Sequence, residues 1–379
     1  MSKIKVNSLE GVGASSPAIT IDNTSGTCTA NLTNRTNKNI IINGAMQVAQ
    51  RGTSSTTNGY GSVDRFQCQH AGADENPTHT QHTLTSSDTG PYEQGFRKSF
   101  HVQNGNQTGG AGASDWMRIW HKFEAQDIAN SGWNYTSASS YITLSFWVKV
   151  SVAQTYYVQM ATQDGTSKMY YFAMNLSANT WTKVTHSISG HSDLTFDNNT
   201  DEGLYIAWYG FRGTNNTGSG EAANQWNNFN GSALTPDQTT TWWTTNDSTF
   251  EITGVQLEVG SVATDFEHLS FSDDLKRCQR YYYDHANGSR VAAEYIGVGY
   301  GWVSSQVEHI VRFPVPMRTG PSLVNSTGTN YYQFRNENQE IYLSDMDIDN
   351  ATTHTALLYK ASISGATEGR AYRFQLGNS

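Results

Sequence analysis

The chain has 379 residues, enough for two or three domains of ordinary size. Charged residues make up 15% of it and the formal net charge is −9; with no run of Lys or Arg to neutralise a line of phosphates, this argues against a nucleic-acid partner. Aromatics reach 12%, with 10 Trp, 20 Tyr and 15 Phe, a supply that suits pleated sheet and leaves flat rings for a core or a binding surface. Cys28, Cys68 and Cys278 lie far apart with no CxxC pair, so the expectation is free thiols, with neither a disulfide framework nor a zinc site. The start MSKIKVNSLEG has no apolar stretch of signal-peptide type, and no run of about 18 apolar residues exists to span a bilayer. Neither export by a signal peptide nor membrane insertion is expected.

In chain order, residues 1–38 are rich in Ser, Thr and Asn, with β-like pieces such as Ala18–Ile21. They hold too little apolar surface for a core of their own, and the segment reads as an arm that orders against a partner. The cluster Asn31–Asn39 supplies turn chemistry before the apolar Ile40–Ile42. Residues 39–268 show short strands separated by Gly, Asn and Ser. In Tyr141–Val150, the residues Ile142, Leu144, Phe146, Val148 and Val150 alternate with Thr143, Ser145, Trp147 and Lys149, which puts the first set on one buried face. Further strands are predicted at Thr155–Thr162, Lys168–Leu176, Thr180–Ile188, Gly203–Phe211 and Phe250–Val259. This spacing without helical periodicity predicts an antiparallel jelly-roll β-sandwich. One helix is predicted, Leu269–His285 within a neck at 269–288, capped by Ser272 and carrying Asp273 and Asp274 in its first turn. Strand signals return in 289–379, read as a C-terminal β-sandwich with Pro314, Pro316 and Pro321 outside any central strand. The fold class is therefore all-β.

Four segments resemble bacteriophage tail fibre proteins, especially those of podovirus-like marine phages and cyanophages. They are the arm MSKIKVNSLEG; the opening IINGAMQVAQRGTS with GYGSVDRFQ; the exit FEITGVQLEVGSVATDFEH running into FSDDLKRCQRYYYD; and the late FPVPMRTGPSL. The stretch from TLSFWVKVS through TWTKVTHSISG is similar to jelly-roll carbohydrate-binding modules. The resemblance implies a homotrimer on the virion tail. Its arm would join a tail adaptor or nozzle protein, and its distal β-domain would meet host surface glycan. It also implies that Ile40–Val48 lies beside Phe250–Val259, an arrangement that covers strand edges otherwise open to aggregation.

No catalytic motif is present: the chain lacks GxSxG, HExxH, a phosphate-binding glycine loop and GxGxxG after a strand, and nothing calls for a cofactor. A glycan-cleaving carboxylate pair could still assemble in space, and a head fibre or capsid decoration protein could use the same modules. His79 and His82 read as solvated loop histidines, and Asp197–Glu202 as an acidic turn without the glycine or the twelfth-position carboxylate of a calcium loop. Aromatics in polar loops are the candidate sugar contacts, because sugar C–H faces stack on rings. These are Trp226, Phe229, Trp242, Trp243, Tyr331 and Tyr332, with one of the adjacent Trp242 and Trp243 expected to be buried. Leu275, Cys278 and Tyr282 share a helix face that could pack on the neighbouring domain or form a trimer neck on a threefold axis.

Overall fold

A computed structural model describes residues 8–9, 19–21, 24, 28–30, 37–218, 220–286 and 294–377. In the arm, β1 (Ser8–Leu9), β2 (Ile19–Ile21) and β3 (Cys28–Ala30) pair antiparallel in that order; the rest of the arm lies outside the described residues.

The central unit is the predicted sandwich. Its strands are β4 (Ser54–Ser55), β5 (Phe66–Ala71), β6 (Thr78–Thr83), β7 (Lys98–Gln103), β8 (Trp116–Glu124), β9 (Tyr141–Val150), β10 (Gln154–Thr162), β11 (Lys168–Leu176), β12 (Thr182–Ser189), β13 (Glu202–Arg212), β14 (Asn227–Asn228) and β15 (Thr249–Val259), with short helices α1 (Ala125–Ala129) and α2 (Thr241–Thr244). They form two six-stranded sheets, ordered β14-β11-β10-β13-β8-β5 and β12-β9-β15-β7-β6-β4. The alternation in β9 does what period two requires: Ile142, Leu144, Phe146, Val148 and Val150 are fully buried between the sheets. There Trp208 packs against Phe66 and, edge-on, against Phe146.

The opening and closing segments of the sandwich meet as expected. Ile40 N donates to Leu257 O and Val255 N to Gly44 O, both at 2.9 Å. The Asn39 side chain donates to Val255 O at 3.1 Å and accepts from Leu257 N at 3.0 Å. Residues 40–48 are not a strand, because Asn43 (φ 62°) and Met46 (φ 58°) sit in the left-handed region and break the extended path. Where β15 bulges between Thr253 and Gln256, Gly254 (φ 61°) has the Phe96 ring 2.6 Å from where a Cβ would stand, so only glycine fits.

The helix α3 is shorter than predicted, Phe271–Gln279, and its cap is Ser270 rather than Ser272: Ser270 is extended and its Oγ accepts from Asp273 N at 3.2 Å. It is seated on the sandwich. Arg280 forks onto Glu124 with two 2.7 Å bonds, Tyr281 donates to the same carboxylate at 2.6 Å, and Arg65 and Arg51 lie over the rings of Tyr281 and Tyr282 at 3.4 and 3.6 Å. Arg318 N donates to Arg280 O at 2.9 Å, tying the next unit to this seam.

The C-terminal unit comprises β16 (Tyr295–Val303), β17 (Gln306–Arg312), β18 (Tyr332–Arg335), β19 (Glu340–Leu343), β20 (Asp347–Asp349), β21 (Thr355–Ala361) and β22 (Ala371–Leu376). These strands form one seven-stranded antiparallel sheet, ordered β19-β18-β22-β16-β17-β21-β20, where two facing sheets were expected. Phe334, Tyr372, Phe374, Val307 and Val311 bury one face, while Tyr295, Val298, Trp302, Ile310 and Tyr342 stand exposed. No helix among the described residues is long and apolar enough to cross a membrane.

Candidate functional site

Most of the aromatics singled out in the sequence are core. Trp242 and Trp243 are both fully buried, because α2 makes a helical turn there instead of an extended segment that would have pointed them apart. Their indoles donate to Thr249 O at 3.0 Å and Gly110 O at 2.9 Å. Trp226 is buried against Tyr170 and donates to Ser189 O at 2.9 Å. Tyr332 is buried and donates to Ser326 O at 3.1 Å, with Tyr331 half-buried beside it. Phe229, 42% exposed, is the most open of the six candidates. The expected neck stripe is also divided: Cys278 is turned onto the sandwich at 1% exposure, while Leu275 and Tyr282 are half-buried.

His79 and His82 are strand residues, not loop residues, since both lie in β6. His79 is buried between Ser62 Oγ (2.8 Å) and Thr57 O (3.0 Å), and burial pushes its pKa down. His82 pairs with the buried Glu251 carboxylate at 2.9 Å, which pushes its pKa up. Asp197–Glu202 includes a plain turn in which Asn199 Oδ1 accepts from Asp201 N at 2.9 Å. No group of three or more His, Cys, Asp or Glu placed to hold a metal exists among the described residues.

A different surface brings polar and aromatic groups together: the outer face of the sheet containing β8. On this strand Trp116, Arg118, Trp120 and Lys122 alternate with the buried Met117, Ile119, His121 and Phe123. Strand pairing then fixes rows across the sheet. One runs Gln69, Arg118, Tyr209, Tyr157; the next runs Gln67, Trp120, Ala207, Gln159, Tyr171. The sequence carried a signal for it, the period-two pattern WxRxWxK from Trp116 to Lys122. A search for aromatics in loops passes over that pattern.

Within the face, Trp120 lies between the Arg118 guanidinium and the Lys122 ammonium, each 3.9 Å from its ring, with Tyr205 edge-on. Arg118 donates twice to Gln69 Oε1, at 3.1 and 2.7 Å, and Gln69 Nε2 donates to Gln67 Oε1 at 2.7 Å. Tyr209 donates to Gln159 Oε1 at 2.6 Å. The amide oxygens are thus used within the face. Trp120 Nε1, Gln159 Nε2, and Arg212 Nε and Nη1 are buried without a hydrogen-bond partner among the described residues, and each such donor costs about 1–3 kcal/mol until an acceptor arrives. Leu234 packs over Ala207, Tyr205 and Tyr209 and roofs the inner part, while Trp116, Arg118, Trp120, Lys122 and Gln69 reach solvent along the outer part.

The cleft beside α3 is of another kind. It carries ion pairs of its own, Arg280 with Glu124 at 2.7 Å, Lys122 with Glu202 at 2.7 Å and Arg51 with Asp64 at 3.8 Å, and Arg318 Nη1 donates to Thr200 O across it at 3.0 Å.

No family model matches the chain, and no curated protein does. Among solved structures it is similar to the enzymatically active domain of tailspike protein 4 of bacteriophage CBA120, at 11% identity and a TM-score of 0.31, covering 59% of this chain and 21% of that one. It is also similar to the family 11 carbohydrate-binding module of a cellulosomal cellulase of Clostridium thermocellum (10% identity, TM-score 0.26, covering 57% and 98%). A third similarity is to the N-terminal cellulose-binding domain of a β-1,4-glucanase of Cellulomonas fimi (10% identity, TM-score 0.26, covering 57% and 99%). Likeness this distant gives no residue-by-residue correspondence.

Proposed function

We propose that the sandwich binds polysaccharide across the outer face of the β8 sheet, and that the chain is an adhesive bacteriophage tail fibre that attaches the virion to host surface glycan or lipopolysaccharide without cleaving it. The observation that carries the first part is the face itself. Flat indoles at Trp116 and Trp120 alternate with cations, beside a lattice of amide and phenol groups whose free positions are donors. The second part rests on the four segments that resemble tail fibres. In this reading the chain acts as a homotrimer on the tail, its arm joins an adaptor or nozzle protein, and several fibres per virion turn weak contacts into firm attachment.

The test is a glycan array probed with the intact protein and with Trp120→Ala. Specific binding lost in the variant supports the reading, and an array blank for both removes it. New reducing ends released from a bound polysaccharide would make the protein a depolymerising tailspike instead. Virions imaged with a labelled N-terminus would show label on the tail, and label on the capsid would make it a head fibre or decoration protein.

A further inference from the structure

We infer that the ligand of the β8 face is an acidic polysaccharide, whose uronate-type carboxylate is received by Arg212. The inference rests on the carbohydrate reading of that face and names the substrate class.

Arg212 closes β13 and pairs in register with Trp116 of β8, at the end of the face where Ala71 of β5 also meets Trp116. Its side chain is 5% exposed, its guanidinium lies 3.9 Å from the Tyr209 ring, and Nε and Nη1 have no hydrogen-bond partner among the described residues. No carboxylate of the described residues forms an ion pair with it. Burial lowers its pKa, with Tyr209 acting against that and Arg118 with it. A guanidinium stays charged in a protein, so this charge cannot be relieved by deprotonation. Nε and Nη1 lie on different edges of the guanidinium, so a buried cation without a carboxylate partner here has an open N–H on each; a carboxylate at either edge brings an acceptor oxygen and the opposite charge.

The other free groups agree. Trp120 Nε1 and Gln159 Nε2 are open donors, while the oxygens of Gln69, Gln67 and Gln159 already accept from Arg118, Gln69 and Tyr209. A neutral sugar hydroxyl brings a donor with every acceptor, while a carboxylate brings acceptors alone. The accessible edge formed by Trp116, Arg118 and Trp120 adjoins Arg212 through its register with Trp116.

The experiment measures affinity for pairs of oligosaccharides with one backbone, each as the uronate and as its carboxyl-reduced hexose: oligogalacturonate, oligomannuronate and hyaluronan fragments, with dextran sulfate and dextran as a further pair. At least one uronate is expected to bind tenfold or more tightly than its reduced partner. Arg212→Gln should bring that ratio within twofold, while Trp120→Ala weakens both members alike. Should Arg212→Gln fail to fold, Arg212→Lys, which keeps the charge and loses the Nε–H and the planar guanidinium, should lower the ratio. Equal affinity within every pair, or a ratio untouched by the Arg212 variants, overturns the inference and leaves the carbohydrate reading standing. An equal gain from sulfate overturns the assignment to a carboxylate. No binding to either member of any pair by folded protein overturns the carbohydrate reading and this inference together.

Discussion

The sandwich and the C-terminal sheet solve the same problem, burying apolar strand faces, in different ways. In the sandwich each six-stranded sheet is the lid of the other, and fully buried Trp208, Phe146, Phe66 and Phe250 fill the space between. The C-terminal strands form one hydrogen-bonded sheet: their own side chains, Val307, Phe334, Leu343, Leu358 and Phe374 among them, cluster as its core, and Tyr295, Val298, Trp302 and Ile310 remain exposed. Two facing sheets free an outer surface for polar chemistry, and the β8 face uses it. A single sheet has to spend one face on its own core, so its other face carries whatever the strands leave over.

This contrast can be broken most strongly at Trp208. Trp208→Ala should cost about 3–5 kcal/mol and lower the melting temperature of the sandwich while leaving the C-terminal transition in place. One transition moving as a whole would show that the two units unfold together. Next comes the seam. Arg280→Ala strips the partner from Glu124, a carboxylate 2% exposed, and should cost about 2–3 kcal/mol after allowance for the solvent that reaches Arg280; an unchanged urea midpoint would mean that Tyr281 and Gln126, whose Nε2 donates to Glu124 Oε2 at 2.6 Å, suffice.

A pH dependence separates the units further. Tyr283 O–H donates to His285 Nδ1 (3.4 Å), His285 Nε2 donates to His309 Nε2 (3.3 Å), and His309 Nδ1 donates to Val298 O (2.9 Å). This chain needs both imidazoles neutral. Burial, then the neighbouring His309, push the His285 pKa down to about 4. Between pH 6.5 and 4 the unfolded chain therefore holds more protons at this site, so its contribution falls as pH falls through that window and levels off below it. His285→Gln should flatten the acid slope of the C-terminal transition by about 1–2 kcal/mol; an identical slope would remove His285 as its source.

Trp120→Ala is expected to weaken glycan binding about tenfold, about 1.4 kcal/mol, while its melting temperature stays within the spread of surface changes. The smallest effect should be at Trp302, 57% exposed on the single sheet: Trp302→Ser should change stability by less than about 0.5 kcal/mol. A larger loss would mean that this face is covered in the assembled protein, and light scattering on the variant would show it as a change of mass.

Much of the architecture was legible in the residues because period two is a local property. The strands predicted at Lys168–Leu176, Gly203–Phe211 and Phe250–Val259 were found within a residue or so at each end. The helix existed where Asp273 and Asp274 announced a first turn, though its cap moved to Ser270, because several Ser side chains can serve and packing on Glu124 and Asn43 chooses between them. The sugar candidates fared differently. Trp242 and Trp243 sit among Thr and Asn, which resembles an exposed loop, yet a single helical turn drives both indoles inward.

By itself, then, the sequence determined the all-β class and the positions of strands such as β9, β11, β13 and β15, but not β5 to β8, since alternation and turn chemistry act over a few residues. Only the tertiary structure decided which alternating strand lies beside which, and so which side chains form a surface. Gln69, Arg118, Tyr209 and Tyr157 come from four separated strands and share a row only through antiparallel register. Hydrogen bonds between strands distant in sequence set that register, so no local pattern can express it.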